Sequence, residues 1–249
     1  QSGFSGTPLI IIDANGLTGD GIVLTATADN SIIRGLILRD FVGDGIQIDS
    51  GSSGSTIEGN YIGSFGAGGT DLGSTERNTL HGMNILGNNN TIGGTSTQSR
   101  NVIGGNTWDG IHITGSGGFN NTILNNYVGT DKTGATAVAN EYGIYISNGA
   151  YNNQIGQASY GNVVSGNLAI GVYLADVATS GNVIQANYIG LTSAGNVALS
   201  NGAFGIPVDN GATGNLIGTN VDGTNDAFEG NVISGNVGST GSAARGGIY

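Results

Sequence analysis

A glycine followed by aliphatic-x-aliphatic residues recurs along the whole 249-residue chain. The motif reads GIVL at Gly21 and then GIQI, GMNI, GIHI, GIYI, GVYL and GIPV, and GIY at Gly247 starts it again. Each of the seven complete copies is followed after 8 to 11 residues by a second short motif such as NTI at Asn90, and then by a third such as NYI at Asn60. Self-similarity of this kind marks a repeat architecture, so it limits the possible folds more than any other feature.

The three motifs alternate apolar and other residues and are too short for helical periodicity, so each predicts a short β-strand. Three strands in a fixed order cannot bury an apolar face alone, whereas stacked coils bury a continuous aliphatic column. We therefore predict an all-β solenoid with three short strands per coil and about seven coils. Because the repeat runs throughout, we expect a single domain over residues 1–249, as part of a longer protein.

Asparagine recurs at the starts of the second and third motifs, including NSI at Asn30 in the first coil, where the third motif is GLI at Gly35. Asparagine and glycine tolerate the left-handed backbone that tight corners need, and stacked asparagine amides hydrogen-bond to one another. We expect these residues to form the corners. An apolar run at residues 9–12 predicts an additional strand that begins the solenoid.

Longer insertions follow the third motif in every second coil, at residues 64–80, 130–141 and 191–203. The repeating unit is thus a pair of coils, 61 residues long from Gly110 to Gly171. We expect the insertions to project from one side of the solenoid, where loops commonly carry recognition.

The text of several repeats resembles the right-handed parallel β-helix repeats of large bacterial secreted and surface proteins, within the pectin-lyase-like superfamily. The resemblance rests on GNYIG, NTIGG, RNVIGGN, GTDKTGATAVAN and the opening GFSGTPLIIIDANG. It covers nearly the whole chain and implies a right-handed parallel β-helix. The superfamily contains lyases, epimerases, hydrolases, tailspikes and adhesive stalks, so fold alone does not give function.

The catalytic motifs of that superfamily do not carry over to this chain. Neither Pro8 nor Pro207 is followed by a histidine, so the Asp-Pro-His core of the epimerases is missing. The paired aspartates and Gly-His-Gly of the polygalacturonases are missing as well. No catalytic residue is therefore assigned from the resemblance.

Charge limits the partners. Six Lys and Arg against 17 Asp and Glu give a net charge of −11, which argues against nucleic acid and anionic membranes. An acidic polysaccharide is disfavoured unless a divalent cation bridges it to the protein. The chain has no apolar run long enough for a membrane helix. The basic residues fall at different phases of the coil and predict no basic column: Arg34, Arg39, Arg77, Arg100, Lys132 and Arg245.

The middle residue of each first-motif strand predicts one outward column, made of Gln47, Asn84, His112, Tyr145, Tyr173 and Pro207. Neighbouring members should lie about 5 Å apart. One hypothesis is a ligand-binding groove in which aromatic faces hold sugar rings. The alternative is that aromatic residues occur there because they favour β-strands.

Candidate catalytic residues belong to the same region. His112 and Tyr145 would act as base and acid, with Asp109 or Glu141 beside them. Asp44, His81, Asp109 and Tyr142 each precede a first-motif strand, and this row could line a cleft together with Glu141 and Trp108.

A glycine-containing loop at residues 220–230 gathers Asp222, Asp226 and Glu229, oxygen donors that suit calcium. A solvated acidic loop is the other interpretation of this segment. We expect no other cofactor.

Two functions follow from these observations. The first is a non-catalytic structural or adhesive module at the cell surface or outside the cell, with weak glycan binding along the outward column. The second is a polysaccharide lyase or epimerase. End-to-end self-association is a further expectation, because open solenoid ends expose unpaired strand edges.

Overall fold

The computed structural model describes residues 4–237 and residue 247, and here the chain winds into three parallel sheets. The first sheet contains β2 (Ile22–Leu24), β5 (Ile46–Ile48), β8 (Met83–Ile85), β11 (Ile111–Thr114), β14 (Ile144–Ser147) and β17 (Val172–Leu174). The second contains β3 (Ile32–Arg34), β6 (Thr56–Glu58), β9 (Thr91–Gly93), β12 (Thr122–Leu124), β15 (Gln154–Ile155), β18 (Val183–Ile184) and β20 (Leu216–Ile217). The third contains β1 (Ile10–Asp13), β4 (Leu36–Arg39), β7 (Tyr61–Gly63), β10 (Val102–Gly104), β13 (Tyr127–Val128), β16 (Val163–Val164), β19 (Tyr188–Ile189) and β21 (Val232–Ile233).

Successive strands belong to successive sheets, and each strand pairs in parallel with its equivalent one coil away. Crossover connections of this type are almost always right-handed. The fold is thus a right-handed parallel β-helix with three strands per coil, as predicted. The seventh first-sheet motif continues the sheet by a bridge between Leu174 and Val208, and Ile206 donates to the Gly247 carbonyl at 3.0 Å. Ile248 and Tyr249, which complete the eighth motif, lie outside the described residues.

The strands are held from the inside by aliphatic columns. From β5 to β17 of the first sheet, the residues on either side of the outward position, such as Ile111 and Ile113, are fully buried. This alternation follows from the period of two along a strand. Three short 3-10 helices, at Gly73–Thr75, Thr97–Ser99 and Asp226–Phe228, occur in the described part of the chain. No helix in that part is long and apolar enough to cross a bilayer.

Buried asparagine amides line all three corners. In each corner the side chain of one coil donates to the side-chain oxygen of the next, with N–O distances between 2.8 and 3.1 Å. The second-motif and third-motif ladders were predicted. A third ladder, before the first sheet, was not predicted and consists of Asn78, Asn106, Asn140, Asn167, Asn201 and Asn236.

At many corners two adjacent residues have separate roles. The residue before the ladder asparagine takes the left-handed conformation, as Asn120 does with φ of 53° and Asn125 with φ of 58°. The next residue, Asn121 or Asn126, keeps its amide for the ladder. These corners use a pair of residues rather than the single asparagine that the sequence suggested, whereas Asn101 follows Arg100, whose φ is −62°.

The first coil departs from the prediction by one residue. Ile33, not Ile32, pairs with Ile57 and is buried, while Ile32 is exposed. Ser31 therefore occupies the corner position that the sequence gave to Asn30, and it donates its N–H to Ser55. The third motif is likewise shifted, because Leu36 rather than Gly35 lies opposite Asn60. Two consecutive isoleucines left the phase of the alternation undetermined.

The N-terminal strand β1 pairs with β4 and ends the third sheet, close to its predicted position. Its side chains are exposed, and so is Leu9 just before it. End-to-end association through this edge stays a prediction.

The three insertions lie on the same side of the solenoid, as expected, and fold back over the third sheet. Gly134, with φ of +67°, lies so close to Tyr127 that an added Cβ would be 2.9 Å from its ring. Gly69 and Gly195 make the equivalent approach to Tyr61 and Tyr188. The insertions also contact each other, since the Ser193 N–H donates to the Gly134 carbonyl at 2.8 Å.

Candidate functional site

A depression of about 270 Å³ opens on the outer surface of the first sheet, where the chain enters β8, β11 and β14. The four residues suggested for catalysis, His112, Tyr145, Asp109 and Glu141, all line it. The predicted row of residues before the strands is also present, apart from Asp44, which is buried and does not line the depression. The full lining is His81, Trp108, Asp109, His112, Glu141, Tyr142 and Tyr145.

Two histidines and an aspartate form a cluster in this depression, in which the Asp109 main-chain N–H donates to His81 Nδ1 at 3.4 Å. His81 Nδ1 lies 3.1 Å from Asp109 Oδ2, and His81 Nε2 lies 3.3 Å from His112 Nδ1. The other nitrogen of His112, Nε2, lies 2.8 Å from Ser147 Oγ. His81 and Asp109 are buried. Both ring nitrogens of His112 are therefore engaged by protein groups.

Burial disfavours charge on His112. Burial and the neighbouring His81 together lower the pKa of His112 to about 4, whereas Asp109 acts in the opposite direction. His112 is thus a neutral imidazole at neutral pH. Burial also raises the pKa of Tyr142 and of Tyr145, and the nearby Glu141 and Asp176 carboxylates add to the rise for Tyr142 and Tyr145 respectively. Both phenols therefore carry their protons at neutral pH.

The outward column forms in the predicted register, with His112 opposite Asn84 on one side and Tyr145 on the other, and Tyr145 opposite Tyr173. His112 and Tyr145 stack with ring centroids 4.8 Å apart and planes 4° apart. Tyr145 and Tyr173 stack at 4.9 Å and 12°. Both faces of Tyr145 are thus covered, so this column offers ring edges and hydroxyl groups to a ligand, and not the open faces that the sequence suggested.

Open aromatic surface lies beside the column. The Trp108 side chain is 53% exposed and meets His81 edge-on, with centroids 5.4 Å apart. Tyr142 meets Tyr145 and Tyr173 edge-on at 5.8 and 5.6 Å. Trp108 and Tyr142 are therefore the rings best placed to contact a sugar.

The two ends of the column are polar. Gln47 Nε2 donates to Asp49 at 2.7 Å, and the Tyr173 hydroxyl donates to Asp209 at 2.8 Å. Burial and this bond to Asp209 raise the pKa of Tyr173 well above its usual value. Asn84 Oδ1 is buried without a hydrogen-bond partner. Neither Gln47 nor Asn84 lines the depression, so their role in ligand binding stays a prediction.

Near Asn84, the buried Asp44 accepts the His81 main-chain N–H at 2.9 Å. Burial raises the Asp44 pKa, and the hydrogen bond from His81 opposes the rise. Asp44 therefore supports the backbone beneath His81 and does not face a ligand.

The acidic loop converges as predicted, with one oxygen each from Asp222, Asp226 and Glu229 within 4.8 Å of one another. Main-chain N–H groups of the same loop already engage these carboxylates, because Thr224 donates to Asp222 and Gly223 donates to Asp226. Calcium binding here stays a prediction.

The basic residues lie away from the first-sheet depression, and in the described part of the chain none of them lines it. Arg34 pairs with Glu58, and Arg39 pairs with Asp13 at 2.7 Å. Arg100 and Lys132, which the sequence did not group, share a second depression of about 350 Å³ on the third sheet. Arg245 lies outside the described residues.

Two contacts of the cluster were missed in the sequence. His81 precedes Gly82 as Asp109 precedes Gly110, so the repeat itself places His81 and Asp109 next to each other in neighbouring coils. The bond between His81 and His112 joins two different columns, and Ser147 lies at the end of a strand. The signal that could have shown them is that the two histidines of the chain lie in neighbouring coils, one just before its strand and the other in the middle of its strand.

No protein-family model matches the chain, and no curated protein matches its sequence. Solved structures match its fold. The periplasmic alginate epimerase AlgG is similar over 94% of this chain and 45% of its own, with a TM-score of 0.51 and 17% identity. A mutant of AlgG matches over 94% and 46%, with a TM-score of 0.51 and 16% identity. The A-module of the Azotobacter vinelandii mannuronan C-5 epimerase AlgE6 matches over 86% and 59%, with a TM-score of 0.48 and 16% identity.

The chain spans about half the length of the AlgG structures. At this level of identity the likeness supports the β-helix fold alone.

Proposed function

We propose that this chain is the β-helical part of a carbohydrate-active protein, and that a polysaccharide binds at the first-sheet depression. The observation that carries the proposal is that aromatic surface and titratable groups meet in one place. The exposed Trp108 ring and Tyr142 lie beside the Asp109 and Glu141 carboxylates. A depression with apolar walls and a few polar groups is the usual form of a ligand site. The alginate epimerases of the same fold also act on a polysaccharide.

We further propose a lyase or epimerase reaction on a uronate polymer such as alginate, in the presence of a divalent cation such as calcium that bridges the sugar carboxylates to this acidic protein. Both reactions begin by removing the proton from the carbon next to the sugar carboxylate, which requires a base and an acid. His112 is not the base, because both of its nitrogens face His81 and Ser147. Glu141 is the better candidate for the base, and the protonated Tyr145 phenol is the candidate for the acid.

The test is exchange of that carbon-bound proton with solvent. Alginate is incubated with the protein in deuterium oxide, and incorporation of deuterium is measured by NMR. Absorbance of an unsaturated product then separates a lyase from an epimerase. We expect Glu141→Gln to slow exchange about a hundredfold, in line with the usual effect of a general base.

Tyr151→Phe is the matched control, because Tyr151 stacks on Phe119 at 4.9 Å and does not line the depression. We expect this variant to exchange at the unaltered rate. The enzymatic proposal fails if the unmodified protein exchanges no deuterium, or if Glu141→Gln exchanges at the same rate.

A second candidate is a non-catalytic structural or glycan-binding module, and one observation favours it. The nitrogens of His112 and both faces of Tyr145 are engaged by protein groups, as in a purely structural ladder. Alginate binding without deuterium exchange would support a binding module. If the protein neither binds alginate nor exchanges deuterium, a purely structural function remains. A periplasmic, extracellular or cell-surface location is compatible with both candidates.

A further inference from the structure

We propose that His81, Asp109 and His112 form a binding site for one transition-metal ion of the zinc class. The proposal goes beyond the polysaccharide function and does not depend on it, because metal binding is measured with the metal alone. It rests on the donor set, on the neighbours of that set and on the composition of the chain.

The donors are of the right type and spacing. Two imidazoles and one carboxylate are a common three-residue set for zinc, and they leave a fourth position open. One ligand atom from each residue lies within 4.8 Å of the other two. The separations between particular atoms are 3.1 Å from Asp109 Oδ2 to His81 Nδ1 and 3.9 Å from Asp109 Oδ2 to His112 Nδ1. Ligand atoms about 2.0–2.2 Å from a tetrahedral ion lie about 3.3–3.6 Å apart. Metal binding therefore shortens the separation of Asp109 from His112 and replaces the contact between His81 Nε2 and His112 Nδ1.

Neighbouring groups are suited to support bound metal. A ligating histidine usually donates its other ring N–H to an oxygen, which fixes the orientation of the ring. Ser147 Oγ lies 2.8 Å from His112 Nε2 and serves this purpose when Nδ1 faces the ion. Asn84, opposite His112 in the sheet, has a buried side-chain oxygen with no partner.

The position of the cluster leaves room for a fourth ligand. All three residues line the 270 Å³ depression, so an ion held there is reachable from solvent. It also supplies positive charge where the protein has none, because in the described part of the chain no Lys or Arg lines this depression. A carboxylate or hydroxyl group of a ligand is the kind of group that the open position takes.

The composition of the chain makes the site testable. The sequence contains two histidines and no cysteine, so any zinc site with nitrogen ligands from side chains has to use His81 or His112. The acidic loop around Asp222 offers oxygen donors only, which suit calcium rather than zinc.

The experiment is isothermal titration of metal-free, untagged protein with zinc chloride in the presence of excess calcium, which occupies oxygen-only sites. We expect one equivalent of zinc to bind. His112→Gln should weaken binding by about a hundredfold or more, and Ser147→Ala, which keeps all three ligands, by about tenfold. Asp222→Asn is the control and should bind zinc with unchanged affinity. Circular dichroism verifies that each variant is folded.

A second measurement uses cobalt, which replaces zinc and has visible absorption bands that report its ligands. Cobalt should also quench the fluorescence of Trp108, because its ring lies 5.4 Å from that of His81. The proposal is overturned if the unmodified protein binds no zinc in excess calcium, or if folded His112→Gln binds it with the original affinity. Unchanged affinity in Ser147→Ala would contradict the role given to that hydroxyl.

Discussion

The solenoid carries two sets of outward tyrosines, and the two sets have different surroundings. On the third sheet Tyr61, Tyr127 and Tyr188 alternate with valines, so their rings never stack. Each is covered by a glycine of an insertion. On the first sheet Tyr145 and Tyr173 occupy neighbouring coils, stack on each other and have no insertion above them.

This difference indicates a structural role for the third-sheet tyrosines and a functional role for the first-sheet column. The covered tyrosines recur every second coil together with the insertions, so packing accounts for them. The open column has no such period, because Gln47, Asn84 and His112 occupy successive coils before the two adjacent tyrosines. Coil geometry does not demand that variation, and the titratable cluster lies beside it. The open column is therefore the better place to look for function.

The largest expected effect comes from deleting one ring of each set. Tyr127 is 9% exposed and has the Arg100 guanidinium 4.0 Å from its ring centroid. We expect Tyr127→Ala to lower the free energy of unfolding by about 3 kcal/mol, as for other buried aromatic residues. Tyr145→Ala, at the open column, should cost about 1–2 kcal/mol because less area is buried. Urea unfolding followed by circular dichroism measures both, and equal losses would contradict the distinction.

The next effect concerns the insertion glycine that covers Tyr127. Gly134→Ala adds a Cβ 2.7 Å from the Cβ of Ser193 and 2.9 Å from the Tyr127 ring at a left-handed position, and we expect a loss of about 2 kcal/mol in unfolding free energy. Gly115→Ala is a matched control, since Gly115 has φ of +76° and nothing within 4 Å of its Cβ position. The control carries the backbone strain alone and should cost about 1 kcal/mol. If both variants lose the same unfolding free energy, the close packing around Gly134 does not stabilise the fold.

The smallest effect tests a hydroxyl of the open column. Tyr173→Phe removes the bond to Asp209 but keeps the stack on Tyr145. We expect a loss of about 1 kcal/mol in stability, because the acceptor is charged but partly hydrated. Tyr151→Phe should change stability by no more than about 0.5 kcal/mol. A Tyr173→Phe protein as stable as the original would show that this end of the column is not held by Asp209.

The sequence predicted the column because its register is tied to the glycine before each first-sheet strand. With that glycine fixed, the period of two decides which side chains face outward, and His112 falls beside Tyr145. In the first coil the same reasoning was wrong by one residue. Ile32 and Ile33 are both aliphatic there, and Asn30 imitates the corner motif.

The contacts within the candidate site could not be predicted in the same way. Strand register places His112 next to Tyr145, but it does not say whether rings stack or lie edge-on, which depends on side-chain rotation. The bonds from His112 to His81 and Ser147 depend on that rotation too. The third asparagine ladder was missed because its residues lie in the insertions and connecting segments, outside the repeated strand motifs.

The most direct test of the account uses the only tryptophan of the chain. Trp108 lies at the rim of the open depression, so its fluorescence reports on that place and no other. We predict that alginate oligosaccharides change this fluorescence in a saturable manner, and that Tyr142→Ala weakens the response while Tyr151→Phe leaves it intact. A fluorescence signal that does not respond to the oligosaccharides, or a response that Tyr142→Ala leaves unaltered, would contradict the assignment of the open depression as the ligand site.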